Sequence, residues 1–405
     1  MHFEECESAC ALQPSSTIPF NSAHLMKSFR GANVVLLSIT LAFSLTLPMS
    51  AQETLRFATF NVSLYGESAG QVHKRLESRD DVQASKIAAI IQKIRPDVLL
   101  LNEIDYDAGN ETLDSFHENY LAIGQRGQQG INYPFRYPVP SNTGISSDLD
   151  IDGDGDALDP GDSWGYGSYP GQYSMAVLSR YPFDVNSIRT FQQFRWNDLP
   201  GALQPRNAAN NQPFYPEATW SKLRLSSKNH IDVPIRIKDS VIHLLACHPT
   251  PPVFDGPEDR NGCRNHDEIR FWSDYLADCS HLVDDAGQHG GLGEHQPFVI
   301  AGDLNSDPES GDSRRSAIRQ LLAHKRIQDP LPSSEGASEA SQRQKPNATS
   351  AFGDDRLMRL DYVLPSSELT IRDAGVFWPK SSDRDLELVN ASDHRMVWIE
   401  VELPQ

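Results

Sequence analysis

Apolar positions along this chain fall into two rhythms. Runs rich in β-branched, aromatic and aliphatic residues have the length and composition of strands at Leu55–Val62, Val98–Leu101, Tyr173–Ser179, Val185–Thr190, Thr219–Leu225, Val233–Ile237, Val241–His248, Phe298–Ala301, Leu360–Leu364 and Met396–Val401. Val233–Ile237 and Val241–His248 are spaced for a hairpin. Helical spacing predicts a helix over Gln83–Arg95, with Ile87, Ile90, Ile91 and Ile94 on one face and Pro96 as its stop. Further helices are expected at Thr112–Ile123, at Asn265–Leu276 (Ile269, Phe271, Trp272, Tyr275, Leu276) and at about Arg314–Ala323. Three segments lack either period: a Gly/Asp/Tyr-rich insertion at about 124–172, a Pro/Asn-rich loop over 192–218, and Pro332–Ser350, whose Ser/Glu/Gln content reads as mobile. A strand–helix–strand opening followed by mixed strands and few helices places the chain in the α/β (α+β) class.

The first fifty residues follow neither rhythm and look like an address. Met26-Lys27-Ser28-Phe29-Arg30 is a short basic start, Val34–Leu47 is apolar, and Pro48–Gln52 ends in small residues, which is the layout of a secretory signal peptide over 26–51. The apolar run is short of the roughly 20 residues needed to span a bilayer, and no later segment is a candidate transmembrane segment. Residues 1–25 read as an upstream start or leader, leaving 52–405 as a single domain and the protein as exported, periplasmic or extracellular.

Charge narrows the partners. The formal net charge is −19. An acidic surface without interleaved Lys/Arg and aromatic residues repels polyphosphate backbones, which disfavours nucleic acid over a small molecule or lipid head group. No obligate protein partner is evident. Cys247, Cys263 and Cys279 remain after the leader, and a helix between Cys263 and Cys279 would hold them too far apart for a disulfide.

Six segments carry polar groups at or near strand ends: Phe60-Asn61, Leu99-Leu100-Leu101-Asn102-Glu103, Cys247-His248-Pro249, Gly302-Asp303-Leu304-Asn305, Arg359-Leu360-Asp361-Tyr362 and Ser392-Asp393-His394-Arg395. In order and content they resemble the endonuclease/exonuclease/phosphatase superfamily, which includes deoxyribonuclease I, exonuclease III-type repair enzymes and neutral sphingomyelinases. The resemblance implies a four-layer αββα sandwich, two packed mixed sheets flanked by helices. It also implies metal-assisted phosphoester hydrolysis. On it, Glu103, Asn61 and Asp393 attend a catalytic Mg²⁺ or Mn²⁺, and Asp303 orients or deprotonates the attacking water or binds a second metal. Asn305 donates to phosphoryl oxygens, Asp361 fixes His394 as the base, and His248 is a general acid opposite it.

Two further features stand apart from that set. Asp148, Asp150, Asp152, Asp154, Asp156 and Asp159, with Gly153 at the sixth position, match the spacing of a calcium loop, although it ends in aspartate and no clear helices flank it. Pro249–Arg270 is rich in Asp, Asn, Arg and His; Arg264 and Asn265 are its expected phosphate-binding members. The leading function is an exported divalent-metal-dependent phosphodiesterase or phosphatase using water attack. A secreted nuclease is the alternative, and a non-catalytic calcium-binding module on the same fold is the second.

Overall fold

A computed structural model describes residues 54–341, 345–352 and 356–403. The expected leader and signal peptide lie outside them. The first strand, β1 (Thr54–Leu64), is followed by α1 (Gln71–Glu77), α2 (Val82–Ile94), β2 (Val98–Ile104), α3 (Glu111–Phe116), β3 (Phe135–Val139), β4 (Ser174–Ser179) and β5 (Arg189–Thr190). The chain continues through α4 (Glu217–Trp220), β6 (His230–Ile237), β7 (Ser240–Cys247), α5 (Arg260–Leu276), β8 (Phe298–Asp303) and α6 (Ser316–Leu322). The last elements are α7 (Glu335–Ala340), β9 (Ser350–Ala351), β10 (Leu357–Met358), β11 (Asp361–Pro365), β12 (Thr370–Val376) and β13 (Val397–Glu402).

Two mixed sheets result, with strand orders β12-β13-β1-β2-β4-β3 and β11-β8-β7-β6-β5. Period-two alternation decides how they pack. Leu55 and Phe57 of β1 and Val98 and Leu100 of β2 share one core with Val233, Ile235, Leu244 and Val299 of the other sheet. The intervening Ala58, Phe60, Leu99 and Leu101 face Ile87, Ile90 and Ile91 of α2. On the far side, Leu245, Ile300 and Tyr362 pack on Ile269, Phe271 and Trp272 of α5 and on Ile318 and Leu321 of α6. Helix, sheet, sheet, helix is the expected four-layer order. Each fully buried aliphatic or aromatic side chain in these layers contributes about 1.5–3 kcal/mol.

Local signals act as the sequence suggests at α2. Asp81 caps it by accepting from Ala84 N, and Arg95 closes it in a left-handed conformation with its N–H on Ile91 O; Pro96 then prevents extension. Elsewhere tertiary context overrides pattern. Thr219–Leu225 is not a strand: α4 forms after Pro216, and Trp220 turns into an aromatic cluster 5.0 Å from Trp196. Of Val185–Thr190 only Arg189–Thr190 pairs, with β6, because Val185–Ser187 is a turn at the sheet's margin. Pro332–Ser350 contains α7, capped by Ser334, with Gly336 set against the Trp378 and Pro379 carbonyls. Its polar composition hid these tertiary anchors. The expected Thr112–Ile123 helix divides into α3 and one π-helical turn, His117–Leu121. Cys247, Cys263 and Cys279 are free thiols.

Candidate active site

Parallel pairing puts several polar groups at one end of the molecule. β1 and β2 run parallel with Asn61 beside Asn102, and β7 and β8 run parallel with Ala246 beside Ala301. Asp361 lies directly opposite Asp303 in the antiparallel β8–β11 pair. β13 runs antiparallel to β1, so His394, just before it, arrives at the same end. Gly302 lets β8 approach β7: a Cβ there would sit 2.1 Å from Cys247 O. Glu103 and Asn305 both adopt positive φ, 57° and 51°, as the chain turns out of β2 and β8.

Asp303 is the hub. Its Oδ1 accepts from Asn305 N at 2.9 Å, and its Oδ2 accepts from Asn61 Nδ2 at 3.1 Å. The same Oδ2 lies 3.5 Å from His248 Nε2 and 3.6 Å from His394 Nε2. Burial alone would raise the Asp303 carboxyl, but the His394 charge foremost, with the neighbouring His248 ring and the Asn305 N–H, outweighs it and holds the group well below the ordinary carboxylate range. His394 Nδ1 is 2.8 Å from Asp361 Oδ2, which also accepts from Thr349 Oγ1 at 2.7 Å. Burial works against the His394 imidazolium, yet Asp361 and Asp303 together push its pKa upward. The Asp361 carboxyl is raised, by burial first and by Asp303, against the opposing pull of His394.

Glu103 completes the floor. Asn61 Nδ2 donates to its Oε1 at 3.0 Å, and donor atoms of Glu103, His248 and Asp303 lie within 4.8 Å of one another. Burial raises the Glu103 carboxyl, with Asp303 adding to the effect against the Asn61 donor and His394. His248 is 1 % exposed, and among the described residues the nearest partner of its ring nitrogens is Asp303 Oδ2, 3.5 Å from Nε2. Two adjacent carboxylates and an uncommitted imidazole fit a divalent cation.

Residues 58–394 match the Endonuclease/Exonuclease/phosphatase family. The chain belongs to that family. Its members hydrolyse phosphoesters. No curated protein matches in sequence. Among solved structures, an endonuclease/exonuclease/phosphatase from Beutenbergia cavernae is similar at 20 % identity and TM-score 0.50, covering 87 % of this chain and 72 % of that one. A family protein from Bacteroides thetaiotaomicron is 12 % identical at TM-score 0.47, with 87 % and 99 % covered. Beta toxin 275-280 from Staphylococcus aureus is 15 % identical at 0.46, with 85 % and 99 % covered.

The structure gives several of the expected site residues protein partners of their own. Asn61 offers its amide N–H groups to the two carboxylates while its Oδ1 accepts from Ser63 N at 3.2 Å, so it spaces ligands rather than presenting an oxygen. Asp393 is exposed and accepts from Ser63 Oγ at 3.0 Å, outside the clustered donors. Asn305 Nδ2 is tied to Pro249 O at 3.1 Å. Arg264 and Asn265 are not a phosphate clamp. The Arg264 guanidinium donates to the carbonyls of Leu225, Trp164 and Arg224, and Asn265 Nδ2 donates to Thr250 O and Leu304 O at 2.9 and 3.0 Å. Asn265 thereby ties together the segments just after His248 and Asp303, while Arg264 ties α5 to the insertion and to the segment before Lys228.

Pattern reasoning passed over four contributors. Lys228 is buried; burial lowers its ammonium pKa, and Glu268, Glu103 and Asp303 pull the other way. Buried Glu268 accepts from Ser227 N at 2.7 Å and Thr250 N at 2.6 Å. Thr349 Oγ1 accepts from Leu360 N and Asp361 N, and Ser392 Oγ donates to Asn61 O at 2.8 Å. A charged residue at the entry of an apolar strand, as in Lys228-Asn229-His230, is the one signal that could have revealed the lysine.

Proposed function

We propose that this protein is an exported divalent-metal-dependent phosphoesterase acting on a small phosphoester or a lipid head group. The observation that carries the reading is the convergence of two histidines on Asp303 Oδ2, one of them held by Asp361. Glu103, Asp303 and His248 would hold the cation, which supplies Lewis-acid polarisation of a phosphoryl oxygen and offsets charge developing on it. Asp361 fixes the His394 tautomer with Nδ1–H directed at its Oδ2, leaving Nε2 toward the floor to take a proton from water. That step needs neutral His394. Charge neutralisation at Asp303 removes one of the two carboxylates holding the imidazolium, so cation binding and base activation are linked.

The role of His248 differs from the expected general acid. Burial and the Lys228 charge hold its pKa down to about 4, so at neutral pH it is a neutral ring that donates one N–H or ligates through one nitrogen. Lys228 provides the positive charge beside the floor. Among the described residues no helix is long and apolar enough to cross a membrane, and the net charge of −19 favours small or lipid-borne phosphoesters over nucleic acid.

The test is a panel of monoester, bis-ester, sphingomyelin and DNA substrates, each with Mg²⁺, Mn²⁺ or Ca²⁺. Metal-dependent turnover of a non-nucleic-acid phosphoester is expected; preference for DNA would replace this reading with a nuclease, and no turnover of any substrate would defeat it. Export is tested by the N-terminal residue of the protein recovered outside the cytoplasm, expected near Gln52.

A further inference from the structure

The acidic insertion has no part in the reaction proposed above, yet it contains a second convergence of oxygens. Donor atoms of Asp150, Asp152 and Asp162 lie within 4.8 Å of one another, as do those of Asp152, Asp154 and Asp159. Asp152 belongs to both triads. Ligands on opposite sides of a calcium ion stand about 4.6–5.2 Å apart, twice the usual Ca–O distance. Each triad spans a distance that suits a calcium ion, and the two meet at Asp152.

Acidic residues crowd together on many surfaces without a ligand, so the decisive residue is Asp162. It is 0 % exposed. Its Oδ1 accepts from Ile151 N at 2.5 Å, while its Oδ2 is enclosed and, among the described residues, has no hydrogen-bond partner. An ionised carboxylate oxygen removed from water and left unpaired among neighbouring carboxylates is costly. Among the described residues, no arginine or histidine forms an ion pair with any of the five aspartates. A divalent cation removes both costs at once.

We propose that Asp150, Asp152, Asp154, Asp159 and Asp162 form a structural calcium site. This set differs from the ligand pattern read from spacing. Asp148, at positive φ, accepts from Ser146 Oγ, and Asp156 accepts from Leu158 N; neither joins the triads. Asp162 replaces them because the chain returns: Ser146 pairs with Ser163, and Ser147 N donates to Asp162 O. Gly153 and Gly155, at φ of 84° and 93°, permit the reversal by which Asp150 and Asp154 each come within reach of Asp152. Calcium is favoured over magnesium because it accepts many carboxylate oxygens in irregular geometry, whereas magnesium holds to a strict octahedron and retains water.

The site has a structural task. Beyond Asp162 the chain passes Trp164, whose carbonyl receives Arg264 Nη2, and Gly165, where a Cβ would lie 1.8 Å from Ser227 O. The loop thus closes against the segment that carries Lys228. A bound cation fixes that wall without touching the reacting groups.

Thermal unfolding of the full chain, freed of metal by chelation and titrated with calcium chloride, tests the proposal. Wild type and Glu103→Gln should both gain on the order of a few degrees in Tm at millimolar calcium. Asp152→Asn with Asp154→Asn should lose most of the gain, and Asp162→Asn should lose it while remaining folded by circular dichroism. Should the Asp162 variant fail to fold, the pair of half-buried Asp152 and exposed Asp154 carries the test alone. Terbium luminescence excited through tryptophan should follow the same variants. The proposal is overturned by no gain in wild type, by a gain that the Asp152/Asp154 variant retains, by a gain that Glu103→Gln abolishes, or by an equal response to magnesium.

Discussion

The strand-end cluster and the Asp150–Asp162 loop both concentrate carboxylates, but they balance the charge with different partners. Around Asp303 the protein supplies its own positive and polar groups: His394, His248, Lys228 and the Asn61 amide surround a floor built on sheet strands. In the loop the carboxylates meet mainly backbone N–H groups, as where Asp150 accepts from Gly153 N and Gly155 N, and among the described residues Asp162 Oδ2 has no hydrogen-bond partner. The difference teaches what each region is suited to do. A site with internal proton donors and acceptors can move a proton; one lined with oxygens alone can only hold a cation.

The comparison breaks most sharply if the dyad is removed. His394→Ala should lower kcat by about 10²- to 10⁴-fold, the usual contribution of a general base, with the circular dichroism spectrum unchanged. Asp152→Asn with Asp154→Asn should leave kcat within about threefold at 25 °C in saturating catalytic metal. Equal losses in the two variants would erase the distinction between the regions.

A smaller effect separates metal affinity from chemistry. Glu103→Gln retains shape but removes charge, so the metal concentration for half-maximal activity should rise by about tenfold or more, and kcat should recover in part at high Mg²⁺ or Mn²⁺. Unchanged metal dependence would make Glu103 a structural residue.

The two site histidines should also give opposite pH slopes in metal-free protein. The folded pKa of His248 is lowered to about 4 from an ordinary 6.5. The unfolded chain therefore binds the extra proton in that window, and stability falls as pH drops from 6.5 toward 4, by on the order of 3 kcal/mol. His248→Gln should flatten this part of the chelator-treated stability profile relative to wild type. His394 has a raised folded pKa, so its contribution is full below 6.5 and is lost as pH rises through the folded value. A wild-type profile unaltered by His248→Gln would show that this ring is not buried neutral.

Next in size is the support behind the floor. Asn265→Ala removes donors from Thr250 O and Leu304 O and should cost about 1–3 kcal/mol in denaturant unfolding. Arg264 and Asn265 acting on substrate would instead raise KM without lowering stability. The smallest effect is expected in the insertion's outer aspartates. Asp148→Ala and Asp156→Ala should leave the calcium-dependent rise in Tm within about a degree of wild type, because neither contributes to the oxygen triads.

Much of the site was legible because chemistry constrains residue type and a strand's end constrains place. Asp303 and Asn305, Asp361, and His394 announce themselves as polar groups beside apolar runs, and the structure gathers them at one end of the paired strands. The geometry of Asn61, Arg264 and Asn265 was not legible: an amide can donate or accept, and a guanidinium can meet phosphate or carbonyls, so residue type leaves the partner open. Lys228, Glu268 and Thr349 escaped notice because each lies far along the chain from the group it meets, 12 residues for Thr349 and Asp361 and 41 for Ser227 and Glu268.

The sequence by itself determined the class and the identities of the strand-end residues, since alternation at period two and at 3.6 specifies which faces must be buried; the layer order came from the resemblance those residues carry. The sequence also marked the insertion as rich in oxygen ligands. Only the tertiary structure decided that Thr219–Leu225 turns into an aromatic cluster instead of pairing, that both histidines face one oxygen of Asp303, and that Asp162 joins the loop in place of Asp148 and Asp156. Those outcomes depend on long-range closure: a side chain's partner is set by which distant backbone the packed core brings within 3 Å, and no local period encodes that distance.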